Sequence, residues 1–157
     1  MKNVLVMIAL KDGSKSLFYD IEGYDYRFVL PKNVTDEDLA WAEIIVGQPG
    51  DEQIAKAPHL KWIQTSSAGV NHYLDLKGGI LLSNAYGAYG PGIAEYLTAC
   101  VLTAEKNLYG YDTLQKEHLW KDLPYGPGIP NMKVLSIGMG SIGSEFLKRM
   151  HALGAAC

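Results

Sequence analysis

"NMKVLSIGMGSIGSEFLKRMHALGAAC" occupies residues 131–157. An apolar run, Met132 to Ile137, reads as a buried strand. It leads into Gly138, Gly140 and Gly143, spaced G-x-G-x-x-G. A helix is predicted from Ser144 to Leu153, with Phe146, Leu147, Met150 and Leu153 on one side. Strand, glycine turn and helix in this order open a dinucleotide-binding unit. Gly138 is expected to allow the tight turn, Gly140 to let the backbone approach a pyrophosphate, and Gly143 to let helix and strand pack closely. Main-chain N–H groups at the helix start, including those of Ser141 and Ile142, would face the phosphates. The plainer alternative is a glycine-rich turn that binds nothing. The flanking strand and helix favour the dinucleotide reading. A residue that reads the ribose is expected about 20 positions further on. That position lies past Cys157, so NAD and NADP are not distinguished.

Upstream, short apolar runs alternate with helical segments. "NVLVMIAL" (3–10), "YRFVL" (26–30), "EIIVG" (43–47), "LKWIQT" (60–65) and "GGILLSN" (78–84) read as strands. "TDEDLAWA" (35–42) opens with Thr35 or Asp36 as N-cap and acids in its first turn. "DEQIAKAP" (51–58) is a short helix stopped by Pro58. Continuous apolar strands separated by helices predict a parallel α/β sheet covered on both faces. The polar segment 11–24 carries no clear signal. From Pro91 to Trp120 one long helix is predicted, with an apolar stripe of Ile93, Leu97, Val101, Ala104 and Leu108. Cys100 reads as a core residue within it. "KDLPYGPGIPN" (121–131) is a linker. Two units follow: an α/β unit over 1–92, and over 93–157 the helix, the linker and the start of a second unit.

Composition narrows the class. The 157 residues are 48% hydrophobic and 20% charged, as in globular proteins. The net charge of −3 and the absence of Lys/Arg runs argue against a nucleic-acid partner. No apolar stretch is long enough to span a bilayer, and the N-terminus lacks a signal-peptide pattern. Cys100 and Cys157 lack metal or disulfide spacing, which fits a reducing cytoplasm. No metal site is expected.

Two loops carry the remaining chemistry. "LKWIQTSSAGVNHYLD" (60–75) runs from a strand through small residues into a short helix, for which Asn71 is the expected N-cap. Ala68, Gly69 and Val70 would leave N–H groups open to a carboxylate or phosphate. On the residues alone a plain βα connection is the commoner case. In "SNAYGAYGPGIAEY" (83–96), Tyr86 and Tyr89 could line a pocket or cover a core edge, and Glu95 sits in the first helical turns.

Together, in this order, "KWIQTSSAGVNHYLD", "SNAYGAYGPGIAEY", the Pro/Gly linker and "KVLSIGMGSIGSEFLKRMHALGA" resemble the D-isomer-specific 2-hydroxyacid dehydrogenases. The resemblance runs from about Glu43 to the end. It implies two Rossmann-like α/β domains with a cleft between them. The first is a flavodoxin-like substrate domain. The second binds NAD or NADP and is represented here by its first strand and helix. It gives Ala68 and Gly69 the substrate carboxylate, held by main-chain N–H groups, and gives Gly138, Gly140, Ser141, Ile142 and Gly143 the cofactor pyrophosphate. Asn71 replaces the family's usual Asp. The implied reaction is reduction of 2-keto acids to D-2-hydroxy acids. In this family the catalytic Arg, Glu and His come from a later part of the cofactor domain, and a C-terminal helix returns to the substrate domain. This chain contains neither, so it is expected to be truncated and inactive alone, with no catalytic residue of its own. His59, His72, His118 and His151 are not substitutes, and Arg149 and His151 are expected on the surface.

The competing expectation is a non-catalytic, self-associating module or gene remnant. The strand 133–137 would lack its sheet neighbours, which predicts a homodimer covering it and the long helix. A receiver-like signalling domain would need acids at strand ends. The first strand is followed by Asp12 alone, and "EIIVG" by none.

Overall fold

The computed structural model describes residues 1–157 except Asp12 and Lys77. Asp12, the one acid that the receiver reading could use after the first strand, therefore lies outside the described residues. The chain divides into two compact units, Met1–Tyr86 and Gly87–Cys157.

The first unit is a sheet of five parallel strands: β1 (Lys2–Val6), β2 (Tyr24–Phe28), β3 (Ile44–Val46), β4 (Trp62–Gln64) and β5 (Leu81–Ser83). Their order is β2-β1-β3-β4-β5, the flavodoxin-like arrangement, whose switch point lies between β1 and β3. Leu5 pairs with Ile45 and Ile45 with Ile63 across the register. All three are fully buried on one face with Met7, Leu39, Leu60 and Tyr73. Each such side chain contributes about 1.5–3 kcal/mol of burial.

Helix α2 (Asp36–Trp41) covers that face and starts on a reciprocal cap. The Asp38 N–H donates to Thr35 Oγ1 at 3.2 Å, and the Thr35 N–H donates to Asp38 Oδ2 at 3.1 Å. The N-cap is thus Thr35 rather than Asp36. Arg27 reaches the same carboxylate at 3.1 Å and lies 4.2 Å from the centre of the Trp41 ring. Helix α3 (Asp51–Ala55) follows β3.

On the opposite face, Val4, Val6 and Ile44 are buried beneath partly covered Phe18, Tyr24, Tyr26, Phe28 and Trp62. Phe18 belongs to the one-turn helix α1 (Ser16–Tyr19), in the segment the sequence pattern left unassigned. Between β4 and β5, Trp62 Nε1 donates to Ser83 Oγ at 2.7 Å, and Ser83 Oγ donates to Gln64 Oε1 at 2.6 Å.

In the second unit the expected single helix is two: α4 (Gly90–Glu105) and α5 (Leu108–Lys116). The break is at Asn107, whose backbone is left-handed with φ 50°. Helix α6 (Ser141–Ala152) packs along α4, and Ile129, Met150 and Ala155 form its core with Val101 and Leu102. Cys100 is exposed, not buried. Of the expected stripe, Ile93, Leu97, Ala104 and Leu108 are exposed, so α4 buries Ala94 and Glu105 instead.

The expected buried strand before the fingerprint is a half-paired extended segment. Its pairing is a parallel bridge between Lys133 and Ala156. Met132 and Val134 face the core, while Leu135 and Ile137 are 87% and 98% exposed. A segment paired along so little of its length covers only one of its two faces.

Candidate functional site

The glycine turn is built so that its carbonyl groups are used and its N–H groups are not. Ser136 Oγ donates to the Gly138 carbonyl at 2.9 Å, and Ser144 Oγ donates to the Met139 carbonyl at 3.0 Å. The Ser144 N–H donates to the Gly140 carbonyl at 3.0 Å. Among the described residues, nothing accepts the N–H groups of Ser141, Ile142 or Gly143. Such orphan donors at a helix start form an anion site.

Gly138 has φ 116°, which favours glycine. A β-carbon on Gly143 would fall on the Gly138 carbonyl oxygen, whereas one on Gly140 would meet nothing within 4 Å. Gly140 thus presents bare backbone to its surroundings.

No acid lies in the first turn of α6. The nearest, Glu145, is held below the usual carboxylate range by hydrogen bonds from Lys148 and then Arg149. Arg149 also reaches Glu95 at 3.4 Å, so its guanidinium is engaged by two carboxylates, while His151 is exposed. Sequence reasoning missed Gly90: a β-carbon there would lie 3.1 Å from the Ser141 carbonyl. A larger residue there would need the start of α6 to give by a few tenths of an ångström.

The second candidate group, in the other unit, is the loop after β4. Thr65 Oγ1 donates to the Ser67 carbonyl at 2.8 Å, Ser67 Oγ to the Gly69 carbonyl at 3.0 Å, and Asn84 Nδ2 to the Ala68 carbonyl at 2.8 Å. The N–H groups of Ala68, Gly69 and Val70 have no acceptor among the described residues. Carbonyls tied back and donors left open repeat the arrangement of the glycine turn. Asn84 and Ser67, which fix this loop, were not singled out from the sequence. An Asn at a strand end is too common to stand out.

Asn71 does not cap the following turn. That turn is a single 3₁₀ turn, Asn71–Tyr73, with no side-chain cap. A cavity of about 500 Å³ lies against the loop, lined by Gln48, Asp51, Ser67, Gly69, His72 and Tyr73 among others. It opens beyond the carboxyl ends of β3 and β4, where parallel sheets place ligands. Tyr73 Oη donates to the Pro49 carbonyl at 3.1 Å. Burial, and then the charge of Asp51, push its hydroxyl pKa up, so it remains a donor.

Tyr86 is exposed. His59, His72, His118 and His151 are exposed. Among the described residues there is no cluster of three His, Cys, Asp or Glu that could hold a metal. No described helix is long and apolar enough to cross a membrane.

No family model matches the chain. A glyoxylate/hydroxypyruvate reductase of Arabidopsis thaliana is 26% identical over 111 residues, covering 66% of this chain and 34% of that protein. A D-isomer-specific 2-hydroxyacid dehydrogenase family protein of Aeromonas salmonicida superposes with TM-score 0.87 at 24% identity, over 98% of this chain and 51% of that one. The D-lactate dehydrogenase of Aquifex aeolicus, solved with NAD and lactic acid, gives TM-score 0.76 at 25% identity, over 98% of this chain and 49% of that one. The chain therefore spans about half the length of its solved relatives and about a third of the curated one.

Proposed function

We propose that residues 1–157, which have the fold of the D-isomer-specific 2-hydroxyacid dehydrogenases over half the length of those chains, form the carboxylate-binding and pyrophosphate-binding parts of an NAD-dependent enzyme of that kind. It would act on D-2-hydroxy acids and the matching 2-keto acids. The observation that carries the reading is the turn at 138–143, with its carbonyls tied internally and three N–H donors left open at the start of α6. The bound nicotinamide would supply the hydride acceptor or donor. This chain's residues bind and orient. Gly138, Gly140, Ser141, Ile142 and Gly143 hold the pyrophosphate, and the N–H groups of Ala68 and Gly69 hold the substrate carboxylate. In this reading residues 1–92 serve the substrate and 93–157 the cofactor.

Proton transfer is assigned to none of these residues, so the chain by itself binds without turning over. Both thiols are free, which suits the proposed cytoplasmic location. NADH added to the labelled chain should move the amide signals of Ser141, Ile142 and Gly143, and Gly140→Asp should abolish the movement. Unmoved signals at millimolar NADH would remove the cofactor reading. NADH oxidation with glyoxylate, lost in Gly140→Asp, would overturn the reading of a chain that binds without turnover.

A second reading has its own observation. Leu135 and Ile137 are almost fully exposed, as are Tyr96 and Tyr109 on α4 and α5 to a lesser degree. Such apolar surface favours association, and we propose a homodimer that covers it.

A further inference from the structure

Glu105 is buried at the end of α4, with 6% of its surface exposed, and the proposed chemistry does not use it. Burying a carboxylate is costly unless its oxygens are satisfied. Here one oxygen, Oε1, accepts the Gly128 N–H at 2.5 Å, and Lys106 Nζ lies 4.0 Å from it. The Glu105 main-chain carbonyl accepts the Gly126 N–H at 2.8 Å. A β-carbon on Gly126 would land on the Glu105 carboxylate, which would have to leave its present position.

Neighbouring residues continue the seam. Asn107 Nδ2 donates to the Pro124 carbonyl at 3.0 Å, and the Leu123 N–H donates to Tyr111 Oη at 3.2 Å. The Pro/Gly segment is thus fastened to the α4–α5 junction along its length. Directly after Gly128 the chain enters the core at Ile129, which packs with Met150 of α6.

We propose that Glu105 is a positioning residue for the glycine turn. By holding the Gly128 N–H it fixes where the chain leaves the linker, and through Ile129 it sets the seat of residues 132–137 and of the turn at 138–143. Only the cofactor readout of this inference rests on the proposed function.

The test compares Glu105→Ala and Glu105→Gln with the parent by amide exchange and two-dimensional NMR. Removing a bond to a buried carboxylate should speed exchange at Gly128 by about tenfold or more. In Glu105→Ala the amide signals of Gly138, Gly140 and Ser141 should shift, while Leu5 and Ile45 in the other unit stay in place. Glu105→Gln keeps an acceptor oxygen and should return those signals toward the parent. NADH-induced shifts at Ser141–Gly143 should weaken in Ala and recover in Gln. If Gly128 exchange rises but the turn signals do not move, positioning is wrong. If Ala and Gln shift them equally, the accepted hydrogen bond is not the cause, and the proposal falls. If the turn moves in Ala, recovers in Gln, and NADH binds none of the three proteins, positioning stands and the cofactor reading fails. If Ala unfolds the second unit, a parent-like Gln supports the proposal and an Ala-like Gln overturns it.

Discussion

The carbonyl oxygen of Gly138 stands where a β-carbon on Gly143 would have to be. That oxygen belongs to backbone and already accepts a hydrogen bond from Ser136 Oγ, so it has little freedom to yield. The first and third glycines of the fingerprint are therefore one steric unit. Gly143→Ala should destabilise the second unit by about 1–3 kcal/mol, the usual range for overpacking, with the first unit unaffected. Amide exchange resolved by residue checks this.

Gly140→Asp should behave differently. No atom lies within 4 Å of its would-be β-carbon, so folding should be preserved. The added carboxylate stands at the mouth of the turn and repels a pyrophosphate. Thermal unfolding should match the parent within about 0.5 kcal/mol, as for other surface substitutions, while NADH-induced shifts vanish.

In the loop after β4, Asn84→Ala should release the Ala68 carbonyl, now held at 2.8 Å, and also the Tyr86 N–H held by Asn84 Oδ1 at 3.2 Å. If Ala68 and Gly69 receive a carboxylate, glyoxylate titration should shift their amides in the parent. In Asn84→Ala the glyoxylate concentration needed to produce those shifts should rise by about tenfold, the equivalent of one lost hydrogen bond.

Acid should loosen α2. Asp38 is held below the usual carboxylate range first by the Thr35 hydroxyl, then, against its burial, by the Thr35 N–H and Arg27. A lowered folded-state pKa contributes stability above the unfolded value, and this is lost as pH falls through the folded one. The loss should therefore begin near pH 3.9, the ordinary aspartate value, and continue below it. Asp38→Asn should flatten that part of the stability curve, and Thr35→Ala should cost about 0.5–2 kcal/mol at pH 7.

Self-association should depend on Leu135 and Ile137. Light scattering of the parent should show a mass rising toward the dimer with concentration, and Leu135→Lys with Ile137→Lys should return the monomer. A parent that remains monomeric at high concentration would remove the dimer.

Much of the fold was legible because its signals are local. Apolar strands such as "EIIVG" bury on both faces, and Thr35 before three acids is a complete helix start. The fingerprint was legible because steric demands at Gly138 and Gly143 admit little besides glycine. What failed was contextual. The stripe from Ile93 to Leu108 has helical periodicity, yet periodicity does not say whether a partner covers it. Asn107 breaks the helix through a left-handed backbone and a bond to Pro124, seventeen residues away. Glu105 reads as a surface acid until Gly126 and Gly128 are folded over it. Asn71 suits a cap by type, but the turn it enters is too short to need one.

The placement of the tryptophans gives the molecule a built-in optical label. Trp62 is partly covered and bonded to Ser83, and Trp41 lies beneath the Arg27 guanidinium. Trp120, in the other unit, is already as open to water as it would be in an unfolded chain. Intrinsic emission that reddens in denaturant therefore reports the melting of the five-stranded unit and is silent about the unit that carries the glycine turn. A fluorescence trace and a far-ultraviolet dichroism trace that separate would give the two units' stabilities from one unlabelled sample.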